Sequence, residues 1–343
     1  MKKVTFLLSL FLATQVAKAQ ELESILLSAQ NDANKLTEAY IQPAMKGLIY
    51  GMNSGWYHTA KVHKKLGFDV SIGFNLSFVP TKDEIFNFAD LGLTSITSTS
   101  TTSPTIMGSG DGAPMNVSTN AMVGGVSQNV SASFEMPSGI QGDLPLSAVP
   151  TPAIQLSLGL PYKFDVMLRA VPEVGDDDVK GKLLGIGLKK EITNALGALD
   201  RLPLHVSVLA AYTSMDVNYN MNEQTFSGQN QSAEFSLKSY TVQAIASLNF
   251  PIINVYGGLG FSGGNSTLKM LGTYDLEYTI QGGPLDGQQA VSSIQNPLDL
   301  DFDASGFRAT LGARLSLGFF KIFADYTMQE YNTASAGIAF SFR

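Results

Sequence analysis

From Leu66 onward the side chains of this chain alternate, and the alternation persists almost to its end. Phe68, Val70, Ile72, Phe74, Leu76 and Phe78 fall on one face of an extended segment, with Asp69, Ser71, Gly73, Asn75 and Ser77 on the other. Successive residues of a strand point to opposite sides of a sheet, so six matches in a row define a strand with one oily and one polar face. The pattern returns in Ile154, Leu156, Leu158 and Leu160, in Phe164, Val166, Leu168 and Ala170, and in Leu184, Ile186 and Leu188. Further strands are expected at about 203–219, 233–250, 252–272, 301–318, 319–331 and 334–342. In the 301–318 segment, Phe307, Ala309, Leu311, Ala313, Leu315 and Leu317 form the oily face. Arg308, Thr310, Gly312, Arg314 and Ser316 form the other.

Two architectures alternate in this way, a soluble sandwich and a membrane barrel, and the polar faces choose between them. They are rich in Gly, Ser and Thr, with single charges spaced among them, which suits a filled polar lumen. Asp165, Arg169, Lys189, Arg308, Arg314, Lys321 and Asp325 all take inward parity. A Lys or Arg facing lipid at mid-membrane costs ~2–4 kcal/mol, so energetics agrees with parity. Several strands exceed the ~5–6 residues usual in globular sheets and match the ~9–11 of tilted membrane strands. The last strand places Ile338, Phe340 and Phe342 on one face. The expected fold is an all-β antiparallel transmembrane barrel of about 12 strands, up to 14, occupying residues 66–343, with an N-terminal helical segment.

The chain opens with Lys2 and Lys3, an apolar stretch from Val4 to Thr14, and the small-residue site Ala17-Lys18-Ala19. This is the pattern of a cleaved signal peptide over residues 1–19. Its apolar stretch is about half the ~20 residues of a membrane-spanning helix. Residues 20–65 read as a helical hatch. Leu22, Ile25, Leu26, Ala33, Leu36, Ala39 and Tyr40 recur at helical spacing from Glu21 toward Asn53. Pro43 lacks an amide hydrogen and is expected to divide the segment into two helices. The segment either plugs the lumen or lies on the surface and tethers the first strand. A charged fraction of 15% is low beside the ~25% of soluble domains, and mean hydropathy is +0.09. The net charge is −7, and removing the three lysines of the signal leaves −10. With no basic stripe, nucleic acid is not an expected partner. The absence of cysteine removes disulfides, thiol chemistry and thiolate metal sites.

If the C-terminus lies in the periplasm, the short joints at Pro161-Tyr162, Pro251 and Gly318 lie there too. Residues 220–232 and 273–300 then form longer outer loops, the expected asymmetry of such barrels. A tight turn at Asn332-Thr333 falls outside, and 191–202, with room for a short rim helix, falls inside. The Ser/Thr/Gly-rich stretch 94–133 reads as a mobile outer loop with a strand hidden near 120–136.

Motifs that suggest chemistry fail on context. Gly258-x-Gly260-x-x-Gly263 has dinucleotide spacing but leads into another alternating strand, where the motif needs a helix. Gly260-Phe261-Ser262-Gly263-Gly264 spells a nucleophile elbow, yet no His follows His205. His58 and His63, five residues apart, do not share a helical face. No catalytic, metal or cofactor site is expected. Arg314 and Asp325 lie on neighbouring strands and are expected to pair across them.

The chain resembles a family of outer-membrane barrels from Bacteroidota with no assigned function. The resemblance rests on Lys46-Gly47-Leu48, Gly55-Trp56-Tyr57, Leu66-Gly67-Phe68-Asp69, Arg201-Leu202-Pro203, Tyr240-Thr241-Val242-Gln243-Ala244 and Gly306-Phe307-Arg308-Ala309-Thr310. Its most distinctive part is the tail, from Phe323-Ala324-Asp325-Tyr326 through Gln329-Glu330-Tyr331-Asn332-Thr333 to Phe340-Ser341-Phe342-Arg343. The resemblance implies fold and outer-membrane location, and brings no catalytic or binding residues. Barrels of this kind also end in an aromatic strand read by the insertion machinery, a role that falls here to Phe340 and Phe342. In layout alone the chain is similar to long-chain fatty-acid transporters. The leading expectation is therefore a passive, hatch-gated outer-membrane channel for small compounds, hydrophobic ones included. Its expected partners are outer-membrane lipids, the barrel-insertion machinery and a small hydrophobic ligand. The alternative is a non-transporting structural or partner-binding barrel. An outer-membrane lipid hydrolase ranks last.

Overall fold

A computed structural model of the protein describes residues 24–123, 125–175, 179–193, 197, 203–221 and 227–342. The expected signal peptide, the first residues of the expected hatch, Arg201, Leu202 and Arg343 lie outside this set, as does most of the expected rim helix. The strands are β1 (Phe68–Phe78), β2 (Ile85–Asn87), β3 (Ile96–Ser98), β4 (Thr102–Pro104), β5 (Pro114–Val123), β6 (Val126–Glu135), β7 (Ala148–Leu160) and β8 (Phe164–Gly175). They continue with β9 (Val179–Glu191), β10 (Leu204–Asn220), β11 (Gly228–Asn249), β12 (Ile253–Ile280), β13 (Gln289–Gln295), β14 (Leu298–Leu317), β15 (Phe320–Met328) and β16 (Thr333–Phe342).

These strands form a 14-stranded sheet and a separate β2–β4 pair. The expected 12 to 14 strands are thus present, but they divide between two structures. Among the described residues ten of them, β1, β7 to β12 and β14 to β16, close a ring in which every neighbour is antiparallel. The seam joins the first and last staves, Phe68 lying opposite Phe342 and Ser77 opposite Thr333. β3, β5, β6 and β13 stand above the ring, attached through β12. The strand expected near 120–136 exists as β6, but it belongs to this extension and is not a stave.

The ring is inside-out relative to a soluble protein. Phe307 is 84% exposed and its neighbour Arg308 only 4%. Ile72, Leu156, Leu168, Ile186, Val242 and Leu311 all lie on the outer surface. The outward apolar run of β14, from Phe307 to Leu317, is about 34 Å long, or ~25 Å high at a barrel tilt near 40°. That is the thickness of a membrane belt. At its lower edge Tyr162, Phe250, Phe319 and Phe342 form an aromatic rim, where amphipathic and aromatic rings meet headgroups.

The staves differ in height. β1, β7, β15 and β16 have 11, 13, 9 and 10 residues. β10, β11, β12 and β14 have 17, 22, 28 and 20. The tall side rises well beyond the belt, and residues 79–147 fold against it as a cap. The stretch 94–133, expected as a mobile loop, is part of this cap. It carries β3, β4, β5 and most of β6, and it buries Ile96, Met107, Met115, Val117 and Val130. Its Ser/Thr composition concealed Met115, Val117 and Ala121 on the buried face of β5, a face interrupted by Thr119.

The N-terminal segment fills the space this architecture encloses. A 3-10 turn at Ser24–Leu27 precedes one helix, α1 (Gln30–Met52). The break expected at Pro43 does not occur. Pro43 is itself buried within α1, and the interruption of ~3 kcal/mol is offset by burial of Tyr40, Ile41, Leu48 and Ile49 on either side. α1 packs inside the cap and the upper ring; residues 53–65 continue down the lumen as irregular chain, with neither helix nor strand, and join β1 at the lower end.

Candidate functional site in the barrel lumen

An α-helix ends with carbonyls that have no partner within it, and its C-terminus carries partial negative charge. Here α1 ends at mid-lumen, where two guanidinium groups reach its end from different walls. Arg169 of β8 donates from Nη1 to the Met52 carbonyl (3.1 Å) and from Nη2 to that of Ser54 (2.9 Å). Arg308 of β14 donates from Nη1 to the Asn53 carbonyl at 2.7 Å and from Nη2 to Ser54 Oγ at 3.1 Å. Arg169 also donates from Nε to Gln155 Oε1 (3.0 Å), and its guanidinium lies 3.8 Å from the centre of a Trp56 ring. Neither arginine is paired with a carboxylate among the described residues; the end of the helix serves as the counter-charge.

Gly55, with φ +68°, turns the chain out of α1. A side chain there would also strike Asn75 Oδ1. Beyond it the lumen wall is cut away to admit the plug. Trp56 lies over Gly185 and Gly187, where an added Cβ would come within 3.1 Å of its ring. Tyr57 occupies the space a Gly258 side chain would need. The first glycine of the apparent dinucleotide motif is therefore a packing glycine within β12, and no helix follows it.

Below Tyr57 the plug is held by a charged cluster. Asp69 Oδ2 lies 3.1 Å from His58 Nε2 and 3.2 Å from His63 Nε2. Asp165 accepts from the His63 backbone amide (2.9 Å), contacts His63 Nδ1 at 3.1 Å and pairs with Lys189 at 3.0 Å. Lys189 donates to the carbonyls of Thr59 (3.4 Å) and Lys61 (3.3 Å). Glu191 accepts from the Val62 amide at 3.1 Å and pairs with His205 at 2.9 Å. Among the described residues no group of three or more His, Cys, Asp or Glu is arranged to hold a metal ion.

Parity thus placed Asp165, Arg169, Lys189, Arg308, Arg314 and Asp325 correctly on the inner wall, but the groups they meet are not solutes. Lys321 shares that parity yet stays at the lower rim, donating to the Gly318 carbonyl at 2.6 Å. The expected Arg314–Asp325 pair does not form. Arg314 is opposite Phe323 and Asp325 opposite Gly312, and each finds another partner. Arg314 Nη1 lies 2.9 Å from His58 Nδ1, while Asp325 accepts from the Tyr256 hydroxyl at 2.9 Å. Sequence reasoning missed Asp69, Glu191, Gln155 and the carbonyls of 52–54. The Gly55 after a long helical run was the available signal, since glycine often follows a helix C-terminus.

A family model described as "Family of unknown function (DUF6588)" matches residues 1–342. No curated protein is a match. Among solved structures the chain is similar to Ail, the attachment invasion locus protein of Yersinia pestis, at 9% identity and a TM-score of 0.27, over 81% of this chain and 100% of that one. It is also similar to the translocator domain of the autotransporter NalP from Neisseria meningitidis, at 12% identity and a TM-score of 0.27, over 90% of this chain and 96% of that one.

Proposed function

We propose that this chain, which belongs to the DUF6588 family of unknown function, is an outer-membrane barrel kept shut by its own N-terminal segment. It acts through the surface it presents to a partner, and not as a passive pore. The expected signal peptide and the apolar belt support the location. The observation that carries the functional reading is the use made of the lumen cations. Arg169, Arg308 and Lys189, the groups a selective constriction would offer to solutes, direct five hydrogen bonds at the plug backbone. A hydrogen bond to a charged group contributes ~1.5–3 kcal/mol, so releasing all five at once is not a thermal fluctuation.

The hatch-gated channel remains the second reading, favoured by one feature: the plug is a separate segment joined to the ring at a single point, Gly67. Planar-bilayer recording of the full chain separates the two. Closed bilayers are expected for the native protein. Conductance is expected for an Arg169→Ala/Arg308→Ala double variant that still shows barrel sheet content. Steady conductance by the native protein, or solute uptake into vesicles holding it, would overturn the scaffold reading in favour of the channel.

A further inference from the structure

The path of the N-terminal segment has a consequence for the two sides of the membrane. β1 starts, and β16 ends, at the lower end of the ring, which also bears the short turns at 161–163, 250–252 and 318–319. The upper end bears the 79–147 cap and the long β12–β14 extension. Short turns on the periplasmic side and long loops outside are the rule for such barrels, so the cap is the outer face. α1 begins there. Asp32 accepts from the Ser95 backbone amide at 2.6 Å and its hydroxyl at 2.7 Å. Lys35 donates to the Gly92 carbonyl at 2.8 Å, and the Ile106 amide donates to the Tyr40 carbonyl at 2.9 Å. All of these partners are cap residues. Farther along, Tyr50 meets Glu330 at the upper rim (2.8 Å), Asn53 and Trp56 lie at mid-lumen, and the Leu66 amide donates to Gly159 at the lower end (2.8 Å).

We infer that the barrel carries its own chain across the membrane, so that the start of α1 is displayed on the outer face while Lys65 lies on the periplasmic face. The further function is self-display: the ring is the conduit and anchor for an N-terminal segment that forms the centre of the surface cap. This rests on the membrane-barrel reading above and adds the sidedness of the plug. The lumen has the right size for it. Ten strands ~4.8 Å apart at a tilt near 40° make a ring about 20 Å across between backbones. With side chains lining it, that leaves room for a single pass of chain, such as residues 56–65 make without helix or strand.

The protein has no cysteine, so one introduced thiol reports one position. Asn31 and Lys65 are both exposed and lie at opposite ends of the threaded segment. Full-length Asn31→Cys and Lys65→Cys variants in intact cells would be treated with a membrane-impermeant maleimide, before and after the outer membrane is permeabilised. Folding is checked for each by the mobility difference of unboiled and boiled samples on a detergent gel. Full labelling of Asn31→Cys in intact cells, with Lys65→Cys labelled only after permeabilisation, is the expected result. Labelling of both only after permeabilisation, or of Lys65→Cys alone in intact cells, overturns the threading and leaves the barrel standing. Recovery of both variants in the soluble fraction would overturn the barrel reading itself.

Discussion

β14 passes through both halves of the molecule without changing direction, yet it changes character midway. Its even-numbered residues face inward throughout. Above the belt these are Leu298, Leu300, Phe302 and Ala304, all buried; within the belt they are Arg308, Thr310, Gly312 and Arg314. The odd-numbered residues do the reverse, from Asp299, Asp301 and Asp303 to Phe307, Ala309 and Leu311. One strand is therefore a water-soluble strand for its first third and a membrane strand for the rest. The inversion falls at Ser305-Gly306, where the solvent outside changes from water to hydrocarbon. β12 runs the same course, with Tyr274, Tyr278 and Ile280 turned into the cap and Asn254 and Ser262 into the lumen. The core of the cap is oily because water surrounds it. The core of the ring is polar because lipid surrounds the ring and the plug backbone inside needs partners.

The contrast can be broken from either side, and the largest effect is expected in the cap. Phe302 is among the largest fully buried side chains. Truncating such an aromatic costs ~3–5 kcal/mol. Phe302→Ala should make the cap sensitive to protease in detergent while the ring stays folded. Trp56, the single tryptophan, is buried in the lumen and supplies the control, since its emission should not change. Simultaneous loss of both signals would mean that ring and cap are one cooperative unit. The next effect belongs to the belt. Leu311, 64% exposed, would be a tolerant surface site in a soluble protein. In lipid, Leu311→Arg should cost ~2–4 kcal/mol in denaturant unfolding from vesicles. A loss below about 1 kcal/mol would place Leu311 outside the belt.

The belt was legible in the sequence because hydrocarbon imposes the same rule on every stave. Period-two alternation located the staves, and the inward charges followed from it. The cap was hidden for the converse reason. Met115 and Val117 alternate with Asn116 and Ser118 in a stretch whose Ser/Thr content is otherwise that of a loop, and the alternation is too short to stand out. The apolar upper half of β14 escaped because Leu298, Leu300 and Phe302 lie on the opposite parity from Phe307, so they do not extend the oily face the sequence displays. Pro43 failed as a helix breaker because propensity is a weak force beside burial in an enclosed space. At the site, parity identified Arg169 and Arg308 as inward. Their partners are backbone carbonyls, which carry no side-chain signature, so a polar constriction and a plug clamp look alike until the plug is placed.

The smallest effect sharpens the comparison at the joint between α1 and the cap, where a charge stabilises the water-facing half. Asp32 accepts hydrogen bonds from Thr94 and Ser95. Burial opposes its ionisation, but the bonds from Ser95 and Thr94 outweigh this and hold its carboxyl below the usual range. A depressed carboxyl contributes stability that is fully present above its unfolded value and is lost as pH falls through the folded one. The hold of the cap on α1 should therefore be constant near neutrality and weaken below about pH 4. Asp32→Asn keeps the shape and loses the charge. It should cost roughly 1–2 kcal/mol at pH 7, the scale of charge-assisted bonds reduced to neutral ones. It should also remove the part of the acid sensitivity due to this carboxyl. Following cap proteolysis against pH in both proteins checks this. Parallel curves displaced by a constant would assign the acid sensitivity to other carboxylates and leave Asp32 a neutral-pH tether only.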